Sequence, residues 1–383
     1  MRDNANSFPG ASLPKLRVRI GRHYPMRFVM DLGQRNAAFI KRPLTPLRRF
    51  MNWADAFAPL PELDYDIVHS LNAVPVLTRR PYIVTFEDFL PRVPEDRYIG
   101  WLEAKLQRKL LSRQCVALVA MSEYARRQFR WQNRNFKDRE KLEAKMQVIP
   151  PSVSLRRSTP KKPSGKLKLI FVGADFMRKG GPALLRAHEQ LKKHGLPVET
   201  TMVSSLRWAP DDYIGPASEE YMRQETARLA QNGVIHHPEL PNDEVLNLVE
   251  QADYFVFPTF HDTFGYAPLE ALSCGTPAIV TNTCAQPEIV EDGRCGFLLP
   301  FENDPNVGKW SWIYRNHEPG YLDAYEEAIQ RLSVAITETL IKCWEASSNY
   351  EAMSAAALER VHARFEKQAA RDKLEQLYEL CRQ

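Results

Sequence analysis

A chain of 383 residues, 44% apolar and 26% charged, is long enough for two domains and has the ordinary composition of a globular protein that buries real cores. No window approaches the length of a membrane span, and the six cysteines (Cys115, Cys274, Cys284, Cys295, Cys343, Cys381) include no C-x-x-C pair, which favours reduced thiols over a structural zinc site. Charge divides the chain: residues 1–150 hold 27 Lys+Arg against 15 Asp+Glu, a balance of +12, while residues 151–383 hold 25 against 32, a balance of −7. Such asymmetry points either to an anionic partner of the first half or to a solvated arginine-rich surface.

Residues 1–14 are polar and lack the apolar core of a signal peptide, so a cytoplasmic protein is expected, with peripheral contact to the inner face of a membrane as an addition. Residues 16–20 and 27–30 read as early strands, followed by apolar runs at 66–69 and 82–86. Residues 98–111 are basic and amphipathic, and Arg126, Arg127, Phe129, Arg130 and Trp131 form a second basic-aromatic cluster. Either could rest on anionic headgroups or be a domain helix with a solvated basic face; no nucleic-acid motif accompanies them. Residues 116–121 form a buried-strand candidate leading into Ser122 as helix cap, and 147–149 close the half. A proline- and lysine-bearing linker at 152–165 follows.

The second half restarts with the strand 168–173 and a helix with Pro182 near its start and Gly195 just past its end. Further strands are expected at 198–203, 234–236, 254–257 and 278–281. Strands alternating with helices in both halves predict two doubly wound, Rossmann-like α/β units. The tail from 305 is mostly helical in pattern, with Leu374, Leu377, Tyr378 and Cys381 at helical spacing near its end; Trp310 and Trp312 sit in an irregular stretch.

Two strand–loop–helix corners carry the chemistry. After 254–257 comes His261-Asp262-Thr263-Phe264-Gly265-Tyr266-Ala267-Pro268-Leu269-Glu270, with seven residues between two carboxylates. A helix starting near Tyr266 presents free amides to an anion, with Glu270 one turn in and Asp262 in the loop beyond the tip. A nucleotide-diphosphate sugar has an anionic centre and a hydroxyl-rich group at each end, and it satisfies all three places. The other corner, Gly173-Ala174-Asp175-Phe176-Met177-Arg178-Lys179-Gly180-Gly181, puts Lys179 where it can neutralise a departing diphosphate.

The stretch through Asp262, Phe264, Gly265 and Glu270, continued by residues 275–280 and 287–293, resembles the motif of retaining glycosyltransferases of family 4, two-domain GT-B enzymes. The resemblance implies that Asp262 contacts the donor sugar, that Glu270 holds the ribose, and that Phe264, Gly265, Tyr266 and Gly173 line the donor. It implies a diphosphate clamp in which Lys179 matches the lysine; Ala174 stands where the family has arginine, and Arg178 is the candidate to compensate. Glu87, in Thr85-Phe86-Glu87-Asp88, occupies the position of a histidine that faces the donor sugar, and Asp262 replaces a glutamate. His236, beside His237, falls where the family places the base, and Glu288 follows a loop near the donor; packed turn histidines and an ordinary loop are the alternative readings. Asp64-Tyr65-Asp66 has D-x-D spacing but precedes a strand, so metal-free chemistry without a cofactor is expected.

The expected architecture is then a first domain at 1–155 on the acceptor side, a donor-binding domain at 166–355, and a C-terminal helix at 356–383 crossing back. The expected reaction is transfer from a nucleotide-sugar donor to a glycan or lipid-linked acceptor with retention. The alternative is a non-catalytic GT-B chain that binds nucleotide or glycan.

Overall fold

The computed structural model describes residues 15–20, 37–41, 57–58, 65–92, 100–209, 212–216 and 218–382. The expected strand at 27–30 and Asp64 of the D-x-D triplet lie outside these residues.

Two six-stranded parallel sheets organise the chain. The first joins β1 (Leu16–Ile20), β2 (Ala37–Lys41), β4 (Ile67–Leu71), β6 (Tyr82–Phe86), β7 (Cys115–Ala120) and β8 (Met146–Val148) in the order β2-β1-β4-β6-β7-β8. A small parallel pair, β3 (Phe57–Ala58) with β5 (Val74–Pro75), accompanies it. The second joins β9 (Leu167–Val172), β10 (Val198–Val203), β11 (Ile235–His237), β12 (Tyr254–Phe257), β13 (Ala278–Thr281) and β14 (Gly296–Leu299) in the order β11-β10-β9-β12-β13-β14. Every residue of β6, β12 and β13 is buried, which is why these strands read as continuous apolar runs: both sheet faces are covered.

From β9 the chain winds outward through β10 and β11, then returns to β12 on the opposite side. Adjacent strands whose connections run to opposite sides leave a crevice at their carboxyl ends. In the second sheet that switch point lies between β9 and β12, and both chemistry-bearing loops begin there.

The sequence reading missed β14. It is only four residues long and forms because Gly296, at φ 153°, lies where any Cβ would overlap the Ala278 carbonyl of β13. The helix after β9 runs Gly181–Lys193 with Pro182 in its first turn, and Gly195 follows at φ 76°.

The basic helix Gly100–Leu111 buries Leu102, Leu106, Gln107 and Leu110, and Glu123–Gln132 buries Tyr124, Ala125, Gln128 and Phe129. Their apolar faces are therefore domain core, and Phe129 is not available to a membrane surface. No helix among the described residues is long and apolar enough to cross a membrane.

The tail divides in two. Tyr350–Arg364 packs against Tyr266–Ser273 of the second domain. Only Lys367–Leu380 lies against the first sheet, sharing a core of Ala370, Leu374, Leu377 and Tyr378 with Val18, Ile67, Ile83 and Val119. The crossing thus starts at Lys367 rather than at 356. At the crossover, Val153 N donates to Phe365 O at 3.2 Å, so the two interdomain segments run side by side. The linker is fastened to the second domain: Arg156 N donates to Ser273 O at 3.0 Å and the buried Lys161 Nζ to Thr276 Oγ1 at 3.0 Å.

Candidate functional site

The crevice between β9 and β12 is built by backbone first. Gly173 ends β9 with its amide on Val203 O, and a Cβ there would lie 3.0 Å from Lys179 Cγ, so the glycine lets the lysine stem pass close. Gly180, at φ 76°, sits where a Cβ would overlap the Pro258 carbonyl of the neighbouring loop. Gly265 caps the Tyr266–Ser273 helix in the left-handed region at φ 95°, against the Gln286 amide, where a side chain would clash. These glycines bring the two loops together and aim the first-turn amides of that helix into the crevice.

Lys179 Nζ donates to Asp262 Oδ2, joining the two corners by an ion pair. Burial pulls the Lys179 ammonium down from its usual pKa, and Asp262 opposes that shift. Arg178 turns its guanidinium to Asp175 and to His261 O at 2.9 Å, with Tyr213 beside it at 5.7 Å. Phe264 is buried against Tyr266, ring centroids 5.5 Å apart. Glu270, half-buried, lies one turn into the helix on the Tyr266 face.

Other expected site residues have protein partners of their own. Glu87 Oε1 accepts from Asn72 Nδ2 at 3.0 Å and from Arg92 Nη2 at 2.7 Å. His236 Nε2 donates to Ser204 O at 2.8 Å, stapling the end of β11 to the loop after β10. Glu288 accepts from the amides of Glu123 and Tyr124 at 2.8 and 2.6 Å, capping a first-domain helix. Its carboxylate has the right charge for a helix start, and that contact holds the domains together.

Three residues in the cleft escaped the sequence reading as site candidates. Asp88, on the first domain, pairs with Lys309 of the second at 2.8 Å, both nearly fully buried. His261, 4% exposed, has Nδ1 3.3 Å from Tyr213 Oη, and its Nε2 has no partner among the described residues. His261 stands next to Asp262, a signal that was there to be used. Lys309 offered none, because only packing of the irregular stretch brings it into the cleft.

Residues 154–309 match the family model described as glycosyl transferases group 1. A D-inositol 3-phosphate glycosyltransferase of Paenarthrobacter aurescens (strain TC1) is 30% identical over 167 residues, 40% of this chain and 39% of that protein. An O-antigen chain mannosyltransferase B of Escherichia coli is 31% identical over 128 residues, covering 32% and 30%. The matches thus span about two-fifths or less of these relatives' own length. Among solved structures, Anabaena HepE in complex with UDP and glucose has a TM-score of 0.59 at 14% identity, over 95% of this chain and 99% of that one. Sucrose-phosphate synthase of Thermosynechococcus elongatus gives 0.61 at 13%, covering 95% and 98%. Those likenesses establish the fold. Sheet order and the likeness to solved structures identify the fold as GT-B, and residues 154–309 of it match the glycosyl transferases group 1 model.

Proposed function

We propose that this chain transfers a sugar from a nucleoside-diphosphate donor to a glycan or lipid-linked acceptor, with retention at the anomeric carbon. One observation carries the reading: at the β9/β12 switch point, Lys179 and Asp262 meet above the start of the helix that bears Glu270. The diphosphate lies at the helix amides and Lys179, whose charge acts strongly because it is buried. Glu270 takes the ribose hydroxyls and Asp262 a hydroxyl of the sugar. As the bond from the anomeric carbon to the diphosphate breaks, the acceptor oxygen bonds to the same face and its proton passes to the departing phosphate. The first domain, net basic in sequence, receives the acceptor.

The relatives named above act as glycosyltransferases by their descriptions, and the family-model match at residues 154–309 supports the donor side of the proposal. A non-catalytic binding role is the alternative, in which Lys179 and Asp262 stay closed on each other when a donor is bound. Contact with an anionic membrane would fall to the exposed Trp101, at 68%, and to basic side chains around Trp131; co-sedimentation with anionic vesicles tests it.

A thermal-shift screen against UDP-, GDP- and ADP-sugars tests the main reading. A donor at 100 times its Kd adds about 2.7 kcal/mol of stability. The expected result is a shift with one donor that Glu270→Ala abolishes, followed by sugar release or transfer. Donor binding with no turnover on any acceptor or water selects the non-catalytic role, and no shift with any donor refutes the donor site.

A further inference from the structure

The segment 301–320 joins β14 to the helix Tyr321–Glu345 and enters the interdomain cleft. It is seated by packing. Trp310, 1% exposed, stands 4.8 Å from the Phe260 ring and 5.6 Å from Tyr321. Gly308 O accepts from Cys284 N at 3.0 Å and from Thr283 Oγ1 at 3.3 Å. Phe260 precedes His261 and Trp310 follows Lys309, so this packing sets Lys309 beside the motif loop.

Burial above all, and then the charges of Lys309, Arg178, Lys179 and Arg92, hold the His261 imidazole well below its usual pKa, hence neutral. Each cation has a carboxylate: Asp88, Asp175, Asp262 and Glu87 respectively. The result is a charge-balanced ring around an imidazole whose Nε2 has no partner among the described residues. The tautomer that accepts from Tyr213 Oη at Nδ1 carries its proton on Nε2, a buried donor without an acceptor. Such a group is costly unless a ligand supplies an acceptor, and an anion that displaces one of the carboxylates gains the freed cation as well.

The cations differ in how firmly they are held, with Lys179 closed onto Asp262. Arg178 has both Asp175 and the His261 carbonyl, and the Arg92 pair is partly exposed. Lys309 has one carboxylate, Asp88, and burial pushes the Asp88 pKa up against the pull of Lys309, which weakens that pair. An incoming phosphate competes best there.

We propose that Lys309 and His261 bind the donor's diphosphate beside Lys179, with Lys309 exchanging Asp88 for a phosphate oxygen and His261 donating its Nε2–H to another. This inference rests on the proposed donor site. It makes 301–320 part of the binding machinery and makes diphosphate binding the event that releases Asp88 from its cross-domain pair.

The test is calorimetric titration of UDP, GDP and ADP, each against its unphosphorylated nucleoside. The proteins are wild type, the charge-neutral double variant Lys309→Gln/Asp88→Asn, and His261→Phe, with His261→Gln in reserve for folding. The expected result is about a 10-fold loss of affinity for the preferred diphosphate in each variant, with nucleoside affinity held within about twofold. Unchanged diphosphate affinity in the folded double variant overturns the proposal. An equal loss for diphosphate and nucleoside also overturns it, since that marks a structural role. Wild type that binds no nucleoside diphosphate fails at an earlier step and removes the donor site itself.

Discussion

In the first sheet the switch point lies between β1 and β4, in the second between β9 and β12, so the two domains offer crevices of one topology. What lines them differs. The second domain supplies cations on its loops, Arg178, Lys179 and Lys309, although its half of the chain is net acidic. The first, net basic half supplies acids from the loop after β6, Glu87 and Asp88. Topology decides where a ligand can lie, and a few loop residues decide its charge, sometimes against the bulk of their own domain. The domains also differ in how they close. Glycines hold the second crevice, whereas an ion pair and the Glu288 helix cap hold the two domains together.

The largest effect expected from this contrast is at Gly180. Gly180→Val drives a branched side chain into the Pro258 carbonyl in a left-handed conformation and should unfold the second domain or cost more than about 4 kcal/mol. Gly165→Ala, also at positive φ but with open space around it, should cost only about 1 kcal/mol. Urea denaturation of both variants checks the pair; equal losses would show that the close approach is unimportant.

Next comes the cross-domain pair. Asp88→Ala leaves Lys309 buried without its counter-ion and should destabilise by about 3–5 kcal/mol, whereas Asp88→Asn with Lys309→Gln should recover most of that. Thermal unfolding of the three proteins decides whether this pair is a structural clasp.

The domains should part company with pH. His69, buried between Tyr378 and Thr85, has its pKa pushed down by burial to about 3, below the unfolded value near 6.5. The unfolded chain therefore binds the extra proton first, and stability falls as pH drops from 6.5 towards 3, at up to about 1.4 kcal/mol per pH unit. Lys161 is pushed down by burial to about 8, so its contribution improves as pH rises from about 8 to 10.5 and is a constant cost below that. Stability–pH curves of His69→Gln and Lys161→Met, each subtracted from wild type, should differ only in these separate windows. A shared window would break the assignment.

The smallest effect is local. Ser122 Oγ accepts from Ala125 N at 2.9 Å as the cap of Glu123–Gln132, and Ser122→Ala should cost about 1 kcal/mol. Because Glu288 already satisfies the amides of Glu123 and Tyr124, the same change in a Glu288→Gln background should cost more, as a double-mutant cycle would read.

The two doubly wound units, most of their strands, and the two corners that carry Lys179, Asp262 and Glu270 are legible in the amino-acid sequence. Parallel strands covered on both faces must be apolar throughout, and helix starts need particular residues, so these features are written in neighbouring positions. The sequence also showed Ser122 as a cap and the proline–glycine framing of the Gly181–Lys193 helix. The rest depends on how distant segments pack. The turn of Glu288 to the opposite domain, the start of the crossing at Lys367 and the arrival of Lys309 beside His261 each join residues distant in sequence. Such contacts arise when separate surfaces are buried together, and long-range burial leaves no periodicity for a sequence reading to detect.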